Sequence, residues 1–302
     1  MPYDGGGDVS IIPVAPVADI PIVHELTGGI ELEREAVVEW AGTHGGAEPM
    51  TILHEVGDAA PTRMRAALDV PPWCTFHVDH RGEPAAVFHG VFGEVDRLLT
   101  TVVPGSAYRV RYASPPSHPV VALQSELTAF SFALVARELG LIAHACAFTT
   151  SAGEGVLCPG VSGTGKTTLA RLLSATDASM DVLTDDRAIV TLDRPGARVW
   201  GSPWPGAAKL AGTGSAHLTT VVFIRHGESP RCRPVTAADA FRRLLNTLSV
   251  PLWEPGRCAG ALAVVDAIVS HARLIELTFP PTTDGARWVL NEVTAVAPVG
   301  AA

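Results

Sequence analysis

Residues 160–168, with the sequence GVSGTGKTT, constrain the fold of this chain more than any other segment. Two glycines separated by four residues and followed by lysine and threonine match the pattern of a phosphate-binding loop. The segment follows an apolar run at 155–158 and opens a stretch with leucines at helical spacing, which is the strand–loop–helix context that the pattern requires. The sequence therefore predicts an α/β fold in which this glycine loop (residues 160–168) joins a strand to a helix. The less favoured alternative is a glycine-rich turn without a ligand.

The glycine loop has the residues that a nucleoside triphosphate and a magnesium ion require. Glycines adopt backbone angles that other residues avoid, so successive N–H groups can point inward at phosphate oxygens. Lys166, one of only two lysines in the chain, can reach the outer phosphates, and Thr167 can place its hydroxyl on Mg²⁺. We therefore predict two cofactors, Mg²⁺ and ATP or another nucleoside triphosphate. The predicted cofactor-binding residues are Gly160, Ser162, Gly163, Thr164, Gly165, Lys166, Thr167 and Thr168.

The composition is that of a globular protein and argues against some classes of partner. The chain has 302 residues, of which 47% are hydrophobic and 18% charged. Its net charge of −9 argues against general nucleic-acid binding, which needs a basic surface. Five scattered cysteines without a CxxC pair indicate reduced thiols. Without a signal peptide or an apolar run of membrane-spanning length, we expect a cytoplasmic protein with no membrane partner, while homo-oligomers stay open.

A proline-rich segment at 113–119 predicts the boundary between two domains. Residues 119–302 form the predicted catalytic domain, and residues 1–118 a small α+β domain that could hold the acceptor. The predicted elements of this first domain are strands at 9–14, 51–56, 74–78, 85–92 and 108–112 and helices at 31–40 and 61–68. Its histidines at 77, 80 and 89 match no zinc pattern, which favours structural roles.

Two segments with candidate catalytic residues flank the glycine loop. A predicted strand at 141–148 contains His144 and should form a hairpin with the strand that enters the loop. A second short strand at 180–184 ends in Asp185 and Asp186, followed by Arg187. Beside a phosphate loop, one carboxylate can hold magnesium and the other can accept a proton from an attacking hydroxyl. The alternative for the acidic pair is a solvated turn.

The order His144, glycine loop, acidic pair resembles the catalytic half of HPr kinase/phosphorylase, a family that shares its nucleotide-binding core with phosphoenolpyruvate carboxykinase. The resemblance covers roughly residues 125–280. It implies a P-loop core of this type, with a mixed sheet flanked by helices. It also implies that Asp186 is the general base, that Asp185 and Thr167 surround the metal, and that His144 contacts or orients the acidic pair. The assignment between the two aspartates stays open.

The later part of the chain resembles the same family less closely. Residues 255–257 (Pro-Gly-Arg) precede an apolar run, as in the family's signature, which implies that Arg257 neutralises charge on the transferred phosphoryl group. Cys258 replaces the family's asparagine, and Ala207 and Ala208 stand where the family has an acidic residue near the metal. The overall pattern is closer to the shorter relatives associated with peptide tailoring and small-molecule serine phosphorylation than to the regulatory enzyme.

Residues 222–229 (VFIRHGES) resemble the strand-to-loop motif of histidine phosphatases. In that family the motif opens the fold, and a second histidine and an acidic residue follow far downstream. Here only about seventy residues follow, and His271 is the one later histidine. We therefore favour a strand that ends in a polar turn.

These features predict a magnesium- and ATP-dependent kinase. Its acceptor would be a hydroxyl group, most plausibly serine, in a peptide, a protein or a small metabolite. The predicted catalytic residues are His144, Lys166, Asp185, Asp186 and Arg257. The main alternative is a nucleotide hydrolase or nucleotide-sensing protein without a phosphoryl acceptor. A carboxykinase-like enzyme that uses phosphoenolpyruvate and an inactive scaffold are two further alternatives.

Overall fold

The computed structural model describes residues 10–17, 20–26, 49–70, 74–89, 96–115, 120–176, 180–251 and 255–295. Within these ranges the chain has sixteen β-strands and five α-helices. It divides into two compact units, Met1–Arg137 with Pro251–Cys258 and Glu138–Val250 with Ala259–Ala302. None of the helices in the described ranges is both long and apolar enough to span a membrane.

The first unit has one eight-stranded sheet in the order β1-β2-β3-β8-β7-β6-β5-β4. Its strands are β1 (Ser10–Val17), β2 (Ile20–Leu26), β3 (Met50–Val56), β4 (Arg65–Val70), β5 (Cys74–Val78), β6 (Pro84–Phe88), β7 (Arg97–Val103) and β8 (Ala107–Tyr112). The pairs β2–β3 and β3–β8 are parallel. Helix α1 (Val120–Ala136) also belongs to this unit.

The core of the first unit follows the two-residue period of its strands. In β8 the buried residues are Tyr108, Val110 and Tyr112, which alternate with half-buried ones. Arg97 is buried in β7, where its guanidinium lies over the ring of Phe88 at 4.7 Å, and its Nε donates to Ser125 Oγ of α1 at 3.0 Å. These contacts pack α1 against the sheet and satisfy a buried charged group.

The structure confirms several predicted elements of this unit and corrects one. Strands lie where they were predicted at 51–56, 74–78 and 108–112, and the strand predicted at 85–92 ends at Phe88. The helix predicted at 61–68 is wrong, because Arg65 begins β4, which pairs with β5. Pairing across the sheet overrides the helical propensity of this Met-Arg-Ala-Ala-Leu segment. The helix predicted at 31–40 lies outside the described residues.

The structure describes all three histidines at 77, 80 and 89. His77 is buried, and His89 Nε2 lies 2.9 Å from Thr75 Oγ1. The division between the two units also differs from the boundary predicted at 118/119. It falls at Arg137/Glu138, because α1 packs on the first sheet, and Pro251–Cys258 returns to the first unit.

The second unit is a mixed α/β structure, as predicted. Its strands are β9 (Gly140–Thr149), β10 (Gly155–Pro159), β11 (Val182–Thr184), β12 (Arg187–Asp193), β13 (Gly196–Trp200), β14 (Ser215–His226), β15 (Arg231–Pro234) and β16 (Arg273–Phe279). Their order is β10-β9-β12-β13-β14-β16-β15, with β11 on β9. A parallel pairing between β10 and β14 closes the strands β10, β9, β12, β13 and β14 into a five-strand ring that the sequence did not predict.

Helices cover the second sheet around the glycine loop. They are α2 (Lys166–Thr176), α3 (Ala237–Leu245), α4 (Pro255–His271), whose first turn groups with the first unit, and α5 (Thr283–Thr294). Helix α2 packs Leu169 and Leu173 into a buried cluster with Cys146 and Phe148 of β9 and Val222 of β14. Every residue of β10 is buried, so the glycine loop begins at the end of a fully enclosed strand.

The close approach of β9 and β12 at Gly140 allows a test of the sheet that carries His144. A Cβ atom at Gly140 would lie 2.2 Å from Val190 O, a backbone atom that cannot swing aside. We therefore expect Gly140→Ala to lower the free energy of unfolding by about 1–3 kcal/mol or more, measured from urea unfolding. The control is Gly260→Ala in α4, where the nearest atom is 3.9 Å away. An unchanged Gly140→Ala midpoint would contradict this strand pairing.

Candidate functional site

The glycine loop joins β10 to α2 with the strand–loop–helix form that the sequence predicted. Gly163 and Gly165 have φ angles of 85° and 98°, in the left-handed region that favours glycine. Thr164 Oγ1 donates to Val161 O at 2.9 Å and braces the turn. The first backbone N–H groups of α2 have no partner within the helix, so they can bind an anion held in the loop.

Lys166 is held inside the loop by two backbone carbonyls. Its side chain is buried, and Nζ donates to Gly160 O at 2.6 Å and to Val161 O at 3.0 Å. Burial lowers the pKa of Lys166, and the nearby Arg187 lowers it further, while Asp186 opposes the shift. An ammonium group has three N–H bonds, so one remains for another acceptor. These two bonds fix the Lys166 ammonium group beside the loop, where it can bind an anionic ligand.

Asp186 stands between a histidine and an arginine. Its Oδ1 lies 3.0 Å from His144 Nε2, and its Oδ2 lies 3.1 Å from Arg187 Nε. The backbone fixes this arrangement, since Ala145 N–H donates to Asp186 O at 2.9 Å and His144 lies opposite Arg187 in the β9–β12 pairing. Burial alone would raise the pKa of Asp186, but the hydrogen bond from His144 and the charges of Arg187 and Lys166 outweigh it and hold the pKa below its usual value.

Asp185 holds the loop at residues 206–210. It is fully buried, and its carboxylate accepts backbone N–H bonds from Gly206 at 2.8 Å, Ala208 at 2.7 Å and Leu210 at 3.4 Å. These bonds satisfy the oxygens of the buried carboxyl group. The structure thus gives Asp185 a positioning role, and its predicted contact with magnesium stays a prediction.

Arg257 belongs to the first unit, whereas the other predicted catalytic residues belong to the second. Its NH2 atom lies 3.2 and 3.1 Å from the two carboxylate oxygens of Glu83. The second unit therefore brings together His144, Lys166 and Asp186, while Asp185 binds the neighbouring loop. The role predicted for Arg257 rests on the sequence alone.

The sequence interpretation assigned no catalytic role to two residues near this group. Arg187 directly follows the acidic pair in the sequence, and the structure places it on β12 opposite His144. His226 ends β14, and its Nε2 lies 2.9 Å from Gly163 O in the glycine loop. Because β14 runs parallel to β10, both strands end at the same edge of the sheet. In the sequence, His226 belongs to residues 222–229, which resemble a phosphatase motif, and that resemblance does not predict this contact.

The residues present fit a magnesium ion that shares its ligands with a nucleotide. Magnesium in such sites uses one or two protein oxygens and takes the rest from phosphates and water. Thr167 lies half-buried in the first turn of α2, next to Lys166, and the Asp186 side chain is 25% exposed. Within the described ranges no group of three or more His, Cys, Asp and Glu side chains could hold a metal by itself. Thr167 and Asp186 offer oxygens of the kind that such a shared ion uses.

Comparison with known protein families finds no family model that matches the chain. Comparison with curated proteins finds no match either.

The depressed pKa of Asp186 predicts an acid-dependent contribution to stability. A carboxyl group with a lower pKa in the folded than in the unfolded protein stabilises the fold above its unfolded pKa, near 4, and loses this effect as the pH falls through the folded pKa. We expect wild type to be more stable than Asp186→Asn at pH 6, and the difference to shrink below about pH 4. Urea unfolding between pH 7 and 2 measures it, with Asp181→Asn, an exposed carboxylate, as the control. A stability difference between wild type and Asp186→Asn that does not change with pH would contradict the ion pairs of Asp186.

Proposed function

We propose that the second unit is a kinase that binds ATP and Mg²⁺ and transfers the terminal phosphoryl group to a hydroxyl group. The observation that carries the proposal is the grouping of Lys166, fixed in the glycine loop, with the His144–Asp186–Arg187 set. A serine of a peptide, a protein or a small metabolite is the acceptor that we propose. The order of these residues along the chain also leads us to propose a P-loop core of the HPr kinase and phosphoenolpyruvate carboxykinase type.

The loop and its helix would bind the phosphates. The Lys166 ammonium and the N–H groups at the start of α2 supply positive charge where negative charge spreads over the phosphoryl oxygens during transfer. Mg²⁺, when bound, neutralises charge on the outer phosphates, and Thr167, with an aspartate of the pair, is the group that would hold it. Because these groups are fixed by backbone contacts, little reorganisation is needed as the charge develops.

Asp186 would accept the proton of the acceptor hydroxyl. The hydroxyl oxygen forms a bond to the terminal phosphorus as the bond from that phosphorus to the bridging oxygen breaks, so that ADP leaves and the proton passes to Asp186. His144 at 3.0 Å would orient the carboxylate. The low pKa of Asp186 keeps the carboxylate ionised at neutral pH, so that it is ready to accept a hydrogen bond from the hydroxyl.

Arg187 is the arginine that we propose to stabilise the transferred group. Its Nε lies 3.1 Å from Asp186 Oδ2, and a guanidinium has further N–H donors on its two terminal nitrogens. Its side chain is 35% exposed, so a ligand can reach it. Arg257, for which the sequence implied this role, pairs with Glu83 in the first unit.

One observation favours the hydrolase alternative. The side chains of Asp186 and His144 are 25% and 26% exposed, so water reaches the group that would accept the proton. Water would then replace the hydroxyl acceptor, and the same residues would release inorganic phosphate.

Transfer of label from ATP separates the two functions. With γ-labelled ATP, Mg²⁺ and either free serine or a serine-containing peptide, we expect label in the acceptor and none when alanine replaces the serine. Asp186→Asn should lower the transfer rate about 10²–10⁴-fold, because it removes the proton acceptor, while ATP binding stays measurable. Lys166→Ala should weaken ATP binding itself.

The control for this assay is Asp181→Asn, which removes an exposed carboxylate immediately before β11. If label is found only in inorganic phosphate, and equally with every acceptor, the protein is a hydrolase and the kinase proposal fails. ATP binding that is unaffected by Lys166→Ala would contradict the assignment of the glycine loop.

A further inference from the structure

Five arginines of the second unit lie together on one face of its sheet. Thr278 of β16 lies opposite Arg225 of β14 and opposite Arg231 of β15, so both arginines point to the same face as Thr278. Arg233 lies opposite Glu276, two residues before Thr278, and therefore points the same way. Helix α3 adds two more arginines, which contact the same group of charges. The arginine face comprises Arg225, Arg231, Arg233, Arg242 and Arg243.

The buried residue Glu276 positions three of these arginines. Its Oε2 accepts from Arg243 Nη1 at 2.8 Å, and its Oε1 accepts from Arg233 Nε at 2.8 Å and lies 3.6 Å from Arg225 Nη1. Burial alone would raise the pKa of Glu276, but the hydrogen bonds from Arg243 and Arg233 hold it below its usual value. The carboxylate therefore stays ionised and fixes guanidinium groups that keep further N–H donors for a ligand.

The arginine face has more positive charge than its carboxylates neutralise. Asp239 of α3 pairs with Arg242 at 3.3 Å and with Arg243 at 2.7 Å, and Glu228 lies in the turn between β14 and β15. Together with Glu276, three carboxylates thus stand beside five arginines, and Arg231 pairs with none of the carboxylates in the described part of the chain. In a protein with a net charge of −9, this local excess attracts an anionic partner.

Most of the arginine face is too far from the glycine loop to bind the phosphates held there. The loop follows β10, and β14, β16 and β15 lie one, two and three strand positions away from it. At about 4.8 Å for each strand position, Arg231 and Arg233 are about 14 Å from the loop. Arg243 is closer, since it lines a cavity of about 200 Å³ that Gly160 of the loop also lines. The two arginines of β15 are therefore available to a second ligand.

The arginine face is also connected to the residues that would accept the proton. Thr247, two residues beyond the end of α3, lines the same cavity, and its carbonyl oxygen accepts from His144 N at 2.7 Å. His144 in turn contacts Asp186. An extended chain covers about 14 Å with four to five residues. A peptide can therefore reach both the arginine face and the glycine loop, whereas a metabolite of the size of serine cannot.

We propose that the arginine face binds acidic side chains of a peptide acceptor, at positions about four to six residues from the serine that receives the phosphoryl group. This inference rests on the proposed function and adds to it the class of acceptor, which is an acidic peptide or an acidic segment of a protein. Aspartate and glutamate side chains of this acceptor pair with the guanidinium groups, whose planar donor pairs fit a carboxylate.

Two serine peptides that differ only in charge test this proposal. One has aspartate or glutamate four to six residues from its serine on both sides, and the other has asparagine or glutamine at the same positions. With γ-labelled ATP and Mg²⁺, we expect wild type to act on the acidic peptide with a kcat/KM about tenfold higher, mainly through KM, as several exposed ion pairs would give. The ratio should fall as NaCl rises from about 0.05 to 0.5 M, because salt screens exposed charges.

A double variant, Arg225→Gln with Arg231→Gln, tests the arginine face itself. Neither arginine is hydrogen-bonded to Glu276, so the buried carboxylate keeps its two closest partners. We expect the ratio of kcat/KM between the two peptides to fall to about threefold or less. The matched control, Arg194→Gln with Arg287→Gln, removes the same charge from exposed positions. It should keep the ratio of wild type, because Arg194 is in the turn after β12 and Arg287 is on α5, which packs on the opposite face of the sheet.

The possible outcomes separate this inference from the proposed function. If wild type labels both peptides with equal kcat/KM, the inference fails and the kinase proposal stands. If the variant of Arg225 and Arg231 keeps the full ratio, the acidic residues are recognised elsewhere and the inference also fails. If free serine is labelled but neither peptide is, the inference fails alone. If no serine acceptor is labelled, the proposed function fails together with the inference.

Discussion

The candidate site depends on the backbone hydrogen bonds of two residues in β9. His144 O accepts from Gly160 N at 3.1 Å, which ties the start of the glycine loop to the strand. Ala145 N donates to Asp186 O at 2.9 Å, which ties the acidic pair to it. His144 N donates to Thr247 O at 2.7 Å, which ties the segment after α3 to the same point. Three segments of the chain therefore meet at one strand beside His144.

The charges around Asp186 favour an anionic ligand beside the glycine loop. Asp186 has the cations of Lys166 and Arg187 nearby, and the Lys166 ammonium keeps an N–H bond for a ligand, so an excess of positive charge remains beside the loop. Arg243 pairs with Glu276 and Asp239, but these two carboxylates also pair with other arginines, so cations outnumber carboxylates there as well. A protein with a net charge of −9 thus needs only a local excess of cations to bind an anionic nucleotide.

The sequence predicted the parts of the fold that depend on local pattern. The glycine loop, the strand before it and the helix after it follow from glycine spacing and apolar period, and they lie where they were predicted. The five-strand ring could not be predicted in this way, because β10 pairs with β14 across some sixty residues and no periodicity records such a pairing. The helix predicted at 61–68 failed for the related reason that strand pairing overrode local propensity.

The same distinction applies to the site residues. His144 and Asp186 could be singled out because their order along the chain matched a known pattern, and they lie 3.0 Å apart. The buried position of Asp185 could not be foreseen, since it depends on N–H groups of a loop more than twenty residues away. Arg187 and His226 were missed because their relevance comes from sheet neighbours rather than from a motif.

A crystal structure with a non-hydrolysable ATP analogue and Mg²⁺ tests the central claim most directly. The account predicts that the terminal phosphate lies within hydrogen-bonding distance of Lys166 Nζ, with the Asp186 carboxylate facing it from the His144 side. A nucleotide bound elsewhere on the second unit, or phosphates in the glycine loop with Asp186 turned away from them, would contradict it.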